Sequence, residues 1–337
     1  MYRLGSVTVA LSLVGLALAA PSQGASMVFI KKSNVWMAKA DGSGQVRLTR
    51  DGSRGNPYYS PSIADNGTIV ALRSVFLHSF RPNGQRIVPA RQWAINPSPS
   101  LSTEPFFVDL SPNGRIAATQ NAVYSTFYDP RTSETRPTVS AWFTDFFDFR
   151  RRPPRELGLT DGYYDYNYPA WIDSQRVLTT SYGIFNAHIF TNRVGQRTRG
   201  VDFYRDPGRD PNTGTNSYVL ADAELTRRRD KFAVMRRPLQ TDTANLSVAT
   251  IQIYRTGNPS TASEPLCAIG PGRRIGPEPD PSWSPDGKTL VWSENGRGLF
   301  STPVTSASGC GLRPRLIVRG AHSPDLSKAK TPRRQRS

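Results

Sequence analysis

Aromatic side chains offer the clearest binding chemistry in this sequence. Four tyrosines are interleaved with aspartate, glycine and asparagine in the segment 161–168. Tyrosine combines a large apolar ring with a polar hydroxyl and loses little rotamer entropy when it is immobilised, so it is common on surfaces that hold other proteins. We therefore predict a partner-binding surface that contains Tyr163, Tyr164, Tyr166 and Tyr168. The alternative is that these rings pack inside the fold.

The sequence contains no familiar catalytic or metal-binding motif. It lacks Gly-x-Ser-x-Gly, His-Glu-x-x-His and Gly-x-x-x-x-Gly-Lys-Ser/Thr. Its three histidines, His78, His188 and His322, are far apart. Segment 206–216 alternates Asp and Asn as a Ca²⁺ loop does, but it lacks the glycine spacing and closing glutamate of an EF-hand. We predict a non-catalytic protein without cofactor or metal.

The charge and the N-terminal segment limit the possible partners. The net charge of +17 would favour nucleic acid in a cytosolic protein. However, Arg3 is followed by an apolar run over 7–20 that is shorter than the roughly 20 residues of a membrane-spanning helix, which is typical of a signal peptide. We expect residues 1–25 to direct export to the periplasm or the medium. The expected partners then exclude nucleic acid, and no transmembrane anchor is expected.

A repeated strand–turn–strand unit organises the rest of the chain. In the clearest copy, 280–292, the turn Ser-Pro-Asp-Gly combines a proline that presets φ with a glycine that releases the chain into the next strand. Four weaker copies align with Trp283 of this copy, at Ile63, Leu110, Trp171 and Leu225. A sixth unit, 27–48, lacks its first strand, which the end of the chain could supply. Such repeats predict a ring of blades, because closure removes exposed sheet edges.

Two of these motifs resemble the repeats of TolB-like β-propellers. They are Val-Trp-Met-Ala-Lys-Ala-Asp-Gly-Ser-Gly at 35–44, followed by Arg-Leu-Thr at 47–49, and Trp-Ser-Pro-Asp-Gly at 283–287. The resemblance implies an all-β propeller over 26–326, with six blades of four antiparallel strands and a ring closed by the N-terminal strands. Residues 327–337 are expected to form a basic, disordered tail. The separate α/β domain of TolB is not expected here, so TolB's envelope role is not implied.

This architecture places other residues beside the tyrosines. Connections between propeller blades lie at a mouth of the central channel, and five further residues in such connections are predicted to join the binding surface: Arg50, Arg54, Tyr58, Arg273 and Arg274. The predicted partner is a protein or peptide of the cell envelope. Two alternatives stay open: a carbohydrate- or peptide-active enzyme with paired carboxylates in the channel, or a protein whose arginine-rich surface binds anionic envelope polymers.

The two cysteines are expected to form a disulfide. Cys267 and Cys310 are the only cysteines in the chain, and an even number of cysteines in an exported protein favours pairing. The bond would join the last two blades. The alternative is two buried thiols.

Overall fold

The computed structural model contains only strands, turns and loops in the residues that it describes. These residues are 25–92, 102–148, 150–151, 155–159, 166–183, 186–195, 200–206, 218–238, 249–256, 264–270, 273, 275, 280–305, 309–310 and 313–331. In this part of the chain, no helix is present that could cross a membrane. Apart from Ala25, the proposed signal peptide lies outside the described residues.

The strands form six antiparallel sheets, which are the blades of a β-propeller. Blade 1 contains β1 (Ser26–Lys31), β2 (Asn34–Lys39), β3 (Val46–Arg47) and, from the end of the chain, β25 (Ala321–Ser327). Blade 2 contains β4 (Tyr58–Ile63), β5 (Ile69–Arg73), β6 (Phe76–Phe80) and β7 (Arg91–Gln92). Blade 3 contains β8 (Ser102–Leu110), β9 (Ile116–Asp129), β10 (Glu134–Asp148) and β11 (Arg155–Leu159).

The second half of the ring repeats this plan. Blade 4 contains β12 (Tyr166–Trp171), β13 (Arg176–Gly183), β14 (Asn186–Arg193) and β15 (Val201–Arg205). Blade 5 contains β16 (Tyr218–Leu225), β17 (Lys231–Pro238), β18 (Thr250–Arg255) and β19 (Cys267–Ile269). Blade 6 contains β20 (Ser282–Trp283), β21 (Thr289–Glu294), β22 (Gly298–Thr305), β23 (Gly309–Cys310) and β24 (Arg315–Arg319), the last two both paired with β22.

The two ends of the domain close the ring as predicted. Strand β25 is the innermost strand of blade 1 and pairs with β1, from Ser26 opposite Ser327 to Lys31 opposite Ala321. Beyond this strand, the Ser26 hydroxyl donates to the carbonyl of Ala329, which is itself buried. The last described residues therefore pack against blades 1 and 2.

The repeated turn forms for the reasons that its sequence suggests. In Ser-Pro-Asp-Gly, the Gly287 amide donates to the Ser284 carbonyl, and the Ser284 hydroxyl accepts the Thr289 amide. Gly287 has a φ of +68°, a conformation that favours glycine. The copy at 111–114 repeats these contacts. We call the end of the ring that carries these turns the lower end, and the opposite end the upper end.

Tryptophan at the alignment position joins neighbouring blades. The indole of Trp171 in blade 4 donates to the carbonyl of Asp109 in blade 3 over 3.1 Å. The indole of Trp283 in blade 6 donates in the same way to the carbonyl of Glu224 in blade 5, also over 3.1 Å. Because a buried indole N–H needs an acceptor, this bond fixes the angle between adjacent inner strands.

The predicted disulfide is present between blades 5 and 6. Cys267 in β19 and Cys310 in β23 are joined, with their Cα atoms 5.5 Å apart. The bond connects the two outer strands of neighbouring sheets, and both cysteines pack against the apolar cluster that lies between these blades.

We expect the variant C267S/C310S to lose about 4 kcal/mol of unfolding free energy, because the closed loop of 43 residues restricts the unfolded chain. Urea denaturation of both proteins measures this loss. Reducing the native protein with dithiothreitol should lower its midpoint to that of the variant, which itself should not respond. An unchanged midpoint after reduction would contradict the prediction.

Candidate functional site

Six equivalent positions surround the central channel, one from the inner strand of each blade. In each blade this position comes one residue before the aligned apolar residue of the repeat. In order around the ring, from blade 1 to blade 6, the residues are Asp325, Ser62, Asp109, Ala170, Glu224 and Ser282. Acidic residues thus occupy the odd-numbered blades, and small residues occupy the even-numbered blades. We call this set the channel ring.

A backbone irregularity accompanies the channel ring. In five blades the residue two positions earlier has a positive φ of 43–51°, although none of these residues is glycine. They are Ser60, Tyr168, Asp222, Asp280 and Ser323. The pairing register also shifts here, for example between Tyr59 and Ser62 and between Ala221 and Glu224. Such bulges redirect side chains, and here they lie where the inner strands line the channel.

The hydroxyl of Ser62 bridges two carboxyl groups. Its Oγ lies 2.7 Å from Oδ1 of Asp109 and 2.8 Å from Oδ2 of Asp325, and it also accepts the Leu110 amide at 3.0 Å. A serine hydroxyl carries one proton and can donate to only one of the two carboxyl groups. Ser62 donates to one carboxylate, so the second contact is a hydrogen bond only when the second carboxyl group is protonated and donates its own proton to Oγ. The geometry therefore fits a shared proton.

Ser282 makes the corresponding bridge with longer distances. Its Oγ lies 3.3 Å from Oε1 of Glu224 and 3.4 Å from Oδ1 of Asp325, and it accepts the Leu326 amide at 3.1 Å. The third small residue, Ala170, has no hydroxyl, so no such bridge joins Asp109 to Glu224. The series of hydroxyl bridges between carboxyl groups is therefore interrupted at blade 4.

Burial and mutual repulsion favour the protonated forms of these three acids. All three line a narrow cavity in the channel, so they are poorly solvated. Desolvation, together with the charge of Asp325, raises the pKa of Asp109 to about 7. Desolvation raises the pKa of Asp325 to about 6. Desolvation and the charges of the other two carboxylates also raise the pKa of Glu224 well above its ordinary value.

An ion pair lies below the channel ring. Arg227 of blade 5 donates to Oδ1 of Asp65 in blade 2, on the opposite side of the six-bladed ring, over 2.9 Å. The Lys328 amide donates to the same oxygen over 3.1 Å. These contacts narrow the lower end of the channel and join its sides.

The space above the ring is small and acidic. A cavity of about 50 Å³ is lined by every channel-ring residue except Ser282 and by the five residues with positive φ. Among the described residues it has five carboxyl groups and no basic side chain in its lining. These are Asp109, Asp222, Glu224, Asp280 and Asp325. A volume of this size accepts a few water-sized groups and is well below the 300–1,000 Å³ of typical small-molecule sites.

The structure brings one of the predicted tyrosines to this cavity. Tyr168 lines it, is half-buried, and has its ring edge-on to Phe107 at 5.8 Å between centroids. Tyr166 begins β12, but its side chain lies outside the described part. Tyr163, Tyr164 and Arg274 also lie outside the described residues.

The other predicted residues occupy different environments. Arg50 and Arg54 are exposed, in the loop that leads from β3 to β4. Tyr58 is buried, with its hydroxyl donating to Asp51 over 3.1 Å. Arg273 pairs with the buried carboxylate of Glu294 and lies over the ring of Phe300.

The three ring carboxyl groups were not among the predicted site residues. A signal for them exists in the repeat itself. The odd-numbered blades carry an acid followed by leucine, at 325–326, 109–110 and 224–225. The even-numbered blades carry proline, a small residue and then isoleucine or tryptophan, at 61–63, 169–171 and 281–283. Comparing alternate copies, rather than all copies together, would have revealed the three acids.

The histidines and the acids do not form a metal site in the described residues. No group of three or more His, Cys, Asp or Glu with suitable geometry is found there. His78 is buried between aromatic rings, and desolvation lowers its pKa to about 4. His188 contacts Asp202 at 3.2 Å. Most of segment 206–216, with the alternating Asp and Asn, lies outside the described part.

Comparisons with known proteins agree with this architecture. No family model matches the sequence, and no curated protein is detectably similar to it. TolB from Acinetobacter baumannii is similar over 90% of this chain and 66% of its own length, with a TM-score of 0.54 and 14% identity. A chain of a nidogen/laminin complex is similar over 90% of this chain and 98% of its own, with a TM-score of 0.51 and 10% identity.

An oligogalacturonate lyase in complex with manganese is also similar in structure. The similarity covers 85% of this chain and 70% of the lyase, with a TM-score of 0.51 and 9% identity. Such low identities establish the fold and not the activity. This chain is a six-bladed β-propeller with the architecture found in TolB and in other propeller proteins.

Proposed function

We propose that this protein is an exported, non-catalytic scaffold that binds a protein or peptide partner at the upper mouth of its channel. The observation that carries the proposal is the acidic cavity at this mouth, with the aromatic ring of Tyr168 at its wall. The structures of TolB and of the nidogen/laminin complex support a binding scaffold, since they share the fold.

The chemistry of the cavity specifies the part of the partner that enters. The protein carries a net charge of +17, yet the cavity lining holds only acidic ionisable side chains besides Tyr168. A lysine ammonium or a chain's own amino terminus is small enough for this space and has the complementary charge. We therefore propose a partner that inserts one cationic group and packs its neighbouring residues against the mouth.

The first test is capture of the partner from an envelope extract. The double variant D222N/D280N removes two charges from the mouth while keeping side chains that tolerate a positive φ. We expect its capture to fall at least about tenfold, because a charge-assisted contact with the cation is lost. Y163A/Y164A/Y166A should also lose capture, with a thermal midpoint close to that of the unchanged protein.

The matched control is D41N, which removes one charge in the β2–β3 turn at the lower end. It should capture the partner normally. Equal capture by D41N and D222N/D280N would reject the mouth as the binding site.

A carbohydrate- or peptide-active enzyme is the second candidate, because carboxyl groups do converge in the channel. Asp109 and Asp325 contact the same hydroxyl, at 2.7 and 2.8 Å. Paired carboxyl groups of this kind carry out acid–base chemistry in glycosidases. Against this candidate, the cavity of about 50 Å³ is too small for a sugar ring. Turnover of envelope polysaccharide or peptide by the native protein, abolished in D325N with capture intact, would favour the enzyme.

A further inference from the structure

We propose a second site, independent of the channel mouth, in which a groove at the lower end between blades 3 and 4 binds a tetrahedral oxyanion such as a phosphoryl group. Asn113, Arg115, Asp148 and Arg151 form its common wall. We call this feature the arginine groove. It contains Arg150 and Arg151, for which the channel-mouth function has no use.

Two guanidinium groups are held side by side by one carboxylate. Nε of Arg115 donates to Oδ2 of Asp148 over 2.8 Å, and Nε of Arg151 donates to the same oxygen over 3.2 Å. Asp148 is 2% exposed and ends β10, so it is a fixed anchor. Among the described residues, each arginine makes its bond here through Nε, so the terminal Nη groups of both can reach a ligand.

The balance of charge in the groove is positive. Asp148 offsets one of the two anchored arginines. A third arginine, Arg150, lines the same groove and donates through Nη2 to the hydroxyl of Thr68 over 2.6 Å. The side chains of Arg115 and Arg151 are 55% and 52% exposed, so an anion reaches them from solvent.

The groove also has volume and an apolar side. It extends over about 320 Å³ between the blades, within the range of small-molecule sites. Ile116, Leu157 and Val194 line it on one side, and Gln175 of blade 4 adds an amide. A ligand with an oxyanion and a small organic group therefore fits better than a bare ion.

The arrangement selects a tetrahedral anion over a planar one. A carboxylate presents two oxygens in one plane and is satisfied by a single guanidinium fork. A phosphoryl or sulfuryl group presents at least three oxygens in different directions, so it can accept from both forks at once. The same chemistry is offered by a soluble phosphate ester and by a phospholipid headgroup.

The test is calorimetric titration of the full chain with inorganic phosphate, sulfate and acetate at pH 7.5. We expect saturable binding of phosphate and sulfate, and at least about tenfold weaker binding of acetate. Absence of saturable phosphate binding would overturn the proposal, as would equal affinity for acetate.

The variant R115Q/D148N/R151Q removes the two forks and the anchoring carboxylate together, so that no unpaired charge is left buried. It should lose at least about tenfold in phosphate affinity. R115K/R151K keeps the charge but not the forks, and it should also weaken binding. The control R313Q/R319Q removes two exposed arginines near and within β24 and should bind normally. Loss of affinity in this control equal to that in the triple variant would show only a general charge effect and overturn the site.

Two further ligands distinguish the sources of the oxyanion. Glycerol 3-phosphate represents a soluble ester, and vesicles containing phosphatidylglycerol represent a membrane surface. Binding of either one that is lost in R115Q/D148N/R151Q supports the arginine groove and names its source. Binding that persists in the triple variant contradicts it.

Discussion

The double variant E224Q/D325N is expected to unfold at a higher denaturant concentration than the native protein at pH 8, and at nearly the same concentration at pH 4. The gain at pH 8 should be several kcal/mol, because each unit of pKa shift in a buried group corresponds to about 1.4 kcal/mol. The variant replaces two carboxyl groups of the channel ring with neutral amides of similar shape.

The direction follows from proton binding in the two states. The pKa values of these acids are higher in the folded protein, with Asp325 at about 6 and Asp109 at about 7, than in the unfolded chain. Between about pH 4 and 7 the folded state therefore holds more protons, and its stability falls as the pH rises through this range. At pH 4 the carboxyl groups of the folded channel ring are protonated, so replacing them with neutral amides does not change the unfolding free energy.

These two positions accept an amide for a geometric reason. Oδ2 of Asp325 accepts the Ile63 amide and stays an oxygen in the variant. Oδ1 faces the Ser282 hydroxyl, and an amide nitrogen in its place can donate to that hydroxyl. In the described part of the chain, Glu224 accepts its two hydrogen bonds through Oε1, so Oε2 can become the amide nitrogen. Asp109 is left unchanged because both of its oxygens accept backbone amides, from Leu110 and Trp171, so that an NH₂ group would face a donor.

Urea titrations at pH 4, 6 and 8 measure this effect, with D41N as the control that changes a half-buried carboxyl outside the channel. The control should stay within about 0.5 kcal/mol of the native protein at each pH. A gain of the same size at pH 4 and pH 8 would show that packing, and not charge, explains the double variant. His78 acts in the opposite direction in all three proteins, since its pKa of about 4 costs stability as the pH falls below 6.5.

The second large effect is expected from removing the closing strand. A chain that ends at Gly320 lacks β25, and we expect it to lose cooperative unfolding altogether. The inner edge of β1, from Ser26 to Lys31, would then have no partner, and Ile63 would lose its hydrogen bond to Asp325. Unpaired inner edges and the exposed core between blades 6 and 2 together exceed the usual net stability of a domain.

The matched control ends at Lys330. It keeps β25 and the buried Ala329 but removes most of the basic tail, and it should melt like the full chain. Calorimetry and circular dichroism compare the three proteins. A synthetic peptide of residues 321–330 should restore a cooperative transition to the shorter chain. Cooperative melting of the chain that ends at Gly320 at the native midpoint would mean that the ring does not need its closing strand.

The blades were predictable because their turns are local. A Ser-Pro-Asp-Gly segment determines its own geometry within four residues, and Ser284 and Gly287 make the contacts expected of them. Closure by the chain ends also followed from one missing strand. The disulfide followed from the number of cysteines and their expected compartment.

The channel ring was harder to predict because its members come from six different blades. Asp109, Glu224 and Asp325 are more than 100 residues apart in the sequence, and only the closed ring places them around one axis. The environment of Tyr58 was equally hard to predict. Its position near an interblade loop suggests exposure, but contacts with the Asp51 carboxylate and with neighbouring rings keep it buried. The direction of a side chain near a loop depends on tertiary contacts, and these do not produce a periodic pattern in the sequence.

Closure by the last strand also determines when the ring can be completed during biosynthesis. Strand β1 is almost wholly buried and has four apolar residues in its centre, but its inner neighbour is made only after nearly all of the chain between Ser26 and Ser327. At roughly 5–20 residues per second, a ribosome needs on the order of 15 to 60 s to make that stretch. During this interval the inner edge of β1 is unpaired and can associate with other nascent chains. A holding chaperone that covers the first strand would therefore raise the yield of this protein more than one that acts on later blades.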